Sequence, residues 1–125
     1  MAKVLVADDN AQVRDLLELL LEDAGHQVML CEDGSEVLTA SRSQRPDVVL
    51  LDLNMPDVDG FTALQQLRRD ELLSRVPVII VTAAGRPDQM AKARDLGATD
   101  FIVKPWKDFE VEDRVDLALR GAAGA

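Results

Sequence analysis

Aromatic side chains are almost missing from this chain. It has no tyrosine, one tryptophan (Trp106) and three phenylalanines (Phe61, Phe101, Phe109), together 3% of its 125 residues. A core built from this stock must be aliphatic, made of Leu, Val, Ile and Ala. Cysteine is as scarce. The lone Cys31 excludes a disulfide within the chain and fits a reducing compartment, so a cytoplasmic location is expected. Positive charge is short as well. Fourteen Lys and Arg face 23 Asp and Glu, a formal net charge of −9 and a pI near 4.5. Such a surface repels phosphate backbones and anionic lipid heads, so neither direct nucleic-acid binding nor membrane association is expected. No apolar run reaches the length of a membrane span, and Met1-Ala2-Lys3 opens without the apolar stretch of a signal peptide.

What is present has two alternating periods. Short apolar, β-branched runs occur at Lys3–Ala7, His26–Cys31, Asp47–Leu51, Val76–Thr82 and Asp100–Val103. Val48–Leu51 and Val78–Val81 are apolar on both faces, the mark of strands buried on both sides of a parallel sheet. Helical patterns fill the gaps. Val13, Leu16, Leu17, Leu20, Leu21 and Ala24 recur at helical spacing, with Gly25 as the stop. Phe61, Leu64 and Leu67 share a face of the third helix, and Val111, Val115, Ala118 and Leu119 a face of the last. The fourth helix, near Pro87–Leu96, has only Met90, Ala93 and Leu96 on its apolar side. One domain over 1–120 is expected, with a short tail at 121–125. Five strands alternating with five helices predict an α/β fold: a parallel sheet with right-handed crossovers and helices on both faces. Sites in such sheets form beyond the carboxyl ends of the strands.

Those ends carry chemistry. The first strand runs into Asp8-Asp9, the third into Asp52, the fourth ends at Thr82 and the fifth runs into Lys104-Pro105. Three carboxylates on one rim repel one another unless a hard divalent cation sits among them, and Mg²⁺ takes oxygen ligands of this kind. Carboxylate nucleophile, cation, ammonium and hydroxyl are the parts of phosphoryl transfer. Taken singly, each has a plainer reading. Asp8-Asp9 could cap a helix, Asp52 a loop, Thr82 could be an ordinary strand end, and Pro56 with Gly60 could only mark a loop. His26 reads as a surface residue and Cys31 as a small buried apolar one.

Asp8-Asp9, Asp52-Leu-Asn-Met-Pro56 with Gly60, Thr82-Ala83 and Lys104-Pro105 occur in the order and at the spacing of a known family. From Val4 to Leu119 the chain resembles a response-regulator receiver domain of two-component signalling systems. The resemblance implies a flavodoxin-like, doubly wound (βα)5 fold with strand order 2-1-3-4-5. It implies that Asp52 is the phosphoacceptor, receiving a phosphoryl group from a sensor histidine kinase or a His-containing phosphotransfer protein. Mg²⁺ would be held by Asp9, Asp52 and the Asn54 backbone carbonyl, with Asp8 acting mainly through water. Thr82 and Lys104 would contact the phosphoryl oxygens, and Phe101 would turn inward as Thr82 moves. Ala83 is small, as access requires. Asn54 and Ala84 hold positions that tune phosphoryl lifetime, and neither side chain is a general acid or base, so an intermediate lifetime is expected.

The protein is thus read as a phosphorylation-activated switch acting on partners through its helix 4–strand 5–helix 5 face. It is not expected to be a multiple-turnover enzyme: it would catalyse only its own phosphorylation and dephosphorylation. Its output partner, or an output domain beyond this chain, is not named by the sequence. An aspartyl phosphatase of the haloacid-dehalogenase kind would need a second Asp where Asn54 stands. A flavin carrier would need a Ser/Thr/Gly-rich loop where Asp8-Asp9-Asn10 stands. Trp106 and Phe109 invite two readings: an aromatic cluster near the output face, or Trp106 packed back on the sheet with Phe109 alone exposed.

Overall fold

Alternation of two side-chain periods becomes alternation of two element types. The computed structural model describes residues 2–83 and 85–123, of which 122 and 123 are described as backbone only. The order is β1 (Lys3–Ala7), α1 (Ala11–Asp23), β2 (Gln27–Cys31), α2 (Ser35–Gln44), β3 (Val48–Leu51), α3 (Gly60–Arg69), β4 (Val78–Thr82), α4 (Pro87–Asp95), β5 (Asp100–Val103) and α5 (Glu110–Ala123). All strands pair in parallel, in the order β2-β1-β3-β4-β5. The expected flavodoxin-like topology is the one found.

Successive strand residues point to opposite faces, so each central strand feeds two cores. Leu5, Ala7, Val49, Leu51, Val78 and Ile80 join Val37 of α2, Leu64 and Leu67 of α3 and Ala93 of α4. Val4, Val6, Val48, Leu50, Ile79 and Val81 join Leu17 and Leu21 of α1 and Val111 and Val115 of α5. This two-sided burial is why these strands read as unbroken apolar runs. None of the four aromatics belongs to the buried core; Phe61, Phe101 and Trp106 are half-buried and Phe109 is exposed.

The helices attach unequally. Asn10 caps α1, its side chain accepting the Val13 N–H at 3.1 Å. Only Leu17 and Leu21 of α1 are buried, while Leu16 and Leu19 are 45% and 65% exposed, so the apolar stripe is wider than the face that meets the sheet. Ala93 is the sole buried residue of α4. That helix is held instead by cations over rings: Lys92 lies 4.3 Å from the centre of Phe61 and Arg94 5.5 Å from that of Phe101. Such contacts contribute only about 0.5–1 kcal/mol each at exposed sites.

Some boundaries differ from expectation. Phe109, which stands two residues before the apolar stripe of the last helix, lies outside α5 at φ +64°, and its carbonyl accepts the Asp113 N–H. The helix then passes residue 120 and continues to Ala123, so the expected tail is helical over its first three residues; 124 and 125 lie outside the described residues, as does Ala84. His26 is half-buried rather than at the surface, its Nδ1 accepting the Ala2 N–H at 3.3 Å. Cys31 is buried as expected, and burial, then Glu36 and Asp33, push its thiol up to about 12, which leaves it inert as a nucleophile. Among the described residues no helix is long and apolar enough to cross a membrane.

Candidate functional site

The backbone ladder runs one residue past the strands and so fixes the side chains that follow them. Asp8 N–H donates to the Cys31 carbonyl at 3.2 Å, Asp52 N–H to Ala7 at 3.0 Å and Lys104 N–H to Thr82 at 2.9 Å. Residues far apart in sequence thereby stand side by side on one rim. Lys104 Nζ donates to Asp8 Oδ2 at 2.6 Å and to Asp52 Oδ2 at 3.2 Å. Asp8, Asp9 and Asp52 each offer a carboxylate oxygen, and these lie within 4.8 Å of one another. Asp8 and Asp52 are buried, at 1% and 6% exposure, whereas Asp9 faces solvent.

Local hydrogen bonds aim the acids. Asp8 Oδ1 accepts the Asn10 N–H at 2.9 Å, and Asp52 Oδ1 accepts the Asn54 N–H at 3.2 Å. The helix-capping reading of Asp8-Asp9 therefore fails, since Asn10 caps α1 and Asp59 caps α3 by accepting the Thr62 N–H at 2.8 Å, whereas Asp52 does hold the loop after β3 through the Asn54 N–H. Thr82 is 2% exposed at the end of β4, paired with Val103 of β5. Phe101 lies two positions earlier in β5, half-buried against the core shared with α4. Ala83 is exposed and lines a groove of about 460 Å³ with Val13, Leu16, Lys104, Pro105 and Trp106.

Charge is poised at this rim. Burial, then the neighbouring Asp8, raise the pKa of Asp52 above the usual carboxylate range; Lys104 and the Asn54 N–H offset this only in part. Burial also works against the Lys104 ammonium, but the Asp8 hydrogen bond and the two carboxylates outweigh it and hold its pKa above the ordinary lysine value. One ammonium thus serves two buried acids, with an exposed third acid at the mouth. A hard divalent cation fits this set: the donors are all oxygen, the charge is in excess, and Asp9 leaves the mouth open to water.

Some supports were not picked out in the sequence. Arg14, 13% exposed, donates to the Asp8 carbonyl at 2.8 Å and reaches Glu32 at 3.6 Å, tying the acidic loop to the end of β2. Nothing in a helical pattern separates such an arginine from a solvated one. Gly60 does more than mark a loop: a Cβ there would lie 2.2 Å from the Asp52 carbonyl oxygen, so α3 can start this close to the acceptor only with glycine. Trp106 packs with the core shared by α1 and α5, and Phe109 is exposed; both line a groove walled by Leu20 of α1. The structure thus combines the two readings: Trp106 packs back toward the core, and the two aromatics share a groove.

Comparison with known proteins agrees with this geometry. Residues 4–116 match the family model described as the response regulator receiver domain. The chain is similar to a probable transcriptional regulator, ycf27, of Guillardia theta, with 41% identity over 94% of this chain and 45% of that protein. It is 36% identical to protein PilH of Pseudomonas aeruginosa over 97% of this chain and all of the other. The chain spans about half the length of the transcriptional regulators it matches. Among solved structures, the receiver domain of the sensor histidine kinase PA1611 from P. aeruginosa, with a magnesium ion in its active-site cleft, superposes with a TM-score of 0.89 at 28% identity, covering 95% of this chain and 98% of that one. With the family match running over almost the whole chain and the expected strand order found, the protein belongs to the response regulator receiver domain family of two-component systems, whose members are phosphorylation-activated signalling switches.

Proposed function

We propose that Asp52 accepts a phosphoryl group from a phosphohistidine of a sensor kinase or phosphotransfer protein. An Asp52 carboxylate oxygen attacks phosphorus as the P–N bond breaks. The nitrogen keeps the bonding pair, and the product is an acyl phosphate on Asp52. The observation that carries this reading is the Lys104 ammonium within reach of both Asp8 and Asp52. Mg²⁺ would be held by Asp9, Asp52 and the Asn54 carbonyl, with Asp8 behind water, and would neutralise charge on the transferring group. Lys104 would follow the new phosphoryl oxygens, and the Thr82 hydroxyl would bond one of them. Only a difference in affinity between two arrangements shifts a population, and Thr82 with Phe101 would supply it. The weakly attached α4 is the element free to move, which directs the output to the α4–β5–α5 face. Relatives twice as long that are named transcriptional regulators support an output partner or domain beyond this chain. Turnover is limited to this self-modification, and phosphate loss at an intermediate rate follows from Asn54, which is neither acid nor base.

Exposure to acetyl phosphate with and without Mg²⁺, followed by mass measurement, tests the reading. A single phosphoryl adduct that needs Mg²⁺ and is absent from Asp52→Asn is expected. An adduct surviving Asp52→Asn, or multiple turnover of a small phosphoester, overturns it.

A further inference from the structure

Lys104 holds the Asp8 and Asp52 carboxylates, but among the described residues no hydrogen bond or ion pair holds that of Asp9, which faces solvent. An acid without a side-chain partner stands where its backbone puts it. We propose that Arg14 is a positioning residue for Mg²⁺: by holding the Asp8 carbonyl it fixes the peptide from which Asp9 leaves, and so sets the affinity of the acidic rim for the cation. The inference rests on the magnesium reading above and goes beyond it by giving a role to a residue that is no ligand.

Three observations carry it. Arg14 closes the first turn of α1 with its side chain only 13% exposed, although arginine ordinarily keeps its head in water. Its Nη1 donates to the Asp8 carbonyl at 2.8 Å, and among the described residues it pairs with neither the Asp8 nor the Asp9 carboxylate. That carbonyl belongs to the planar Asp8–Asp9 peptide, so the bond orients the whole unit. The loop is closed from the other side as well. Asn10 N–H donates to Asp8 Oδ1 at 2.9 Å, Asn10 Oδ1 accepts the Val13 N–H at 3.1 Å, and the Asn10 carbonyl accepts the Arg14 N–H at 3.0 Å. A ring of bonds from Asp8 through Asn10 to Arg14 and back thus encloses Asp9.

Charge alone argues the reverse. Lys104 already meets two of the acids, and a second cation beside the rim repels a dication. Arg14 escapes part of this conflict because it binds a backbone oxygen and leaves the carboxylates to the metal. Its outer edge reaches Glu32 Oε1 at 3.6 Å, but the Glu32 side chain is 77% exposed, and ion pairs of this kind contribute little. Groups that orient metal ligands without touching the metal change affinity by about 10–100-fold when removed. The two effects therefore give opposite signs. Removing Arg14 tightens Mg²⁺ binding if the residue acts only as charge, and weakens it if the residue positions Asp9.

Mg²⁺ titrations of the whole chain, followed by backbone amide shifts in NMR, read the affinity directly. Arg14→Ala is expected to weaken Mg²⁺ binding by about tenfold. Arg14→Lys keeps the charge without the planar fork and should bind more weakly than the parent but more tightly than Arg14→Ala. Glu32→Gln, which removes only the outer contact, should stay within about twofold of the parent. Acetyl phosphate labelling on the same samples should need more Mg²⁺ in Arg14→Ala, yet approach the parent rate once Mg²⁺ saturates. Thermal melts in EDTA separate stability from binding, and if Arg14→Ala is too unstable to titrate, weaker binding in Arg14→Lys decides in its place. Unchanged or tighter Mg²⁺ binding in the folded variant, a loss in Glu32→Gln as large as that in Arg14→Ala, or a labelling rate that stays low at saturating Mg²⁺ overturns the assignment. A parent chain that binds no Mg²⁺ sinks the magnesium reading itself, whereas a parent that binds it with Arg14→Ala unaffected sinks this inference alone.

Discussion

Lys104 lies closer to Asp8, at 2.6 Å, than to Asp52, at 3.2 Å, although Asp52 is the residue placed to react. The ammonium is thus shared, and neutralising the rim is part of its work. Replacing it by Lys104→Met leaves two buried carboxylates without a cation. Losing one partner of a buried pair costs about 3–5 kcal/mol. We expect a loss near the lower end at neutral pH, because Asp9 and water keep the mouth open, with most of it restored by millimolar Mg²⁺. Denaturant melts of parent and variant with and without Mg²⁺ measure it. A variant as stable as the parent without Mg²⁺ refutes the neutralising role.

Asp52 gives a pH dependence whose sign is fixed by its raised pKa. A carboxyl whose folded pKa exceeds its unfolded value binds its proton more tightly in the folded state. Its contribution is therefore fully present below the unfolded pKa and is lost as pH rises through the folded one. Without metal, Asp52→Asn should be more stable than the parent at neutral pH and gain little at pH 3. Thermal midpoints across that range test this, and a gain larger in acid contradicts it.

Gly60 holds the acceptor loop by leaving room for it. Gly60→Ala would drive a Cβ against the Asp52 carbonyl. Displacements near 1 Å at a reacting centre cost up to about 100-fold in rate. A drop of about tenfold or more in phosphorylation by acetyl phosphate is expected, read by mass against time, with the fold retained by circular dichroism. An unchanged rate shows that the loop yields elsewhere.

Arg68 acts as a strap. Its guanidinium donates to the Gly97 carbonyl at 2.8 and 3.0 Å, to Val76 at 2.7 Å and to Ser74 at 3.3 Å, joining the end of α3 to the turns before β4 and β5. Hydrogen bonds to a charged group contribute about 1.5–3 kcal/mol each, less where water can replace the donor. Arg68→Ala should cost about 2–3 kcal/mol of unfolding free energy in a denaturant melt, with Mg²⁺ affinity unchanged. A loss below about 0.5 kcal/mol, typical of surface sites, excludes the strap.

Helix α4 should open before the others. One buried residue and two cation–ring contacts hold it, against several buried aliphatics in α3. Amide exchange in α4 should be the fastest of the five helices, and Arg94→Ala should quicken it by severalfold without altering exchange in α3. Equal protection of α4 and α3 counts against α4 as the moving part.

The sequence alone determined the class of fold, because burial on both faces of a parallel sheet leaves apolar runs such as Val48–Leu51 that no solvent-exposed strand keeps. It also determined the candidate acids and lysine, because strand ends in such a sheet share one rim whatever lies between them in the chain. Tertiary structure alone decided which groups meet. Lys104 is shared with Asp8, Arg14 holds the Asp8 carbonyl, Gly60 makes room for Asp52, and Leu16, Leu19 and Phe109 stay in solvent. Side-chain period records which face of an element is apolar, but not how much of that face a neighbour covers. Distances across the rim depend on pairing between residues as far apart as Asp8 and Lys104, which no local pattern encodes.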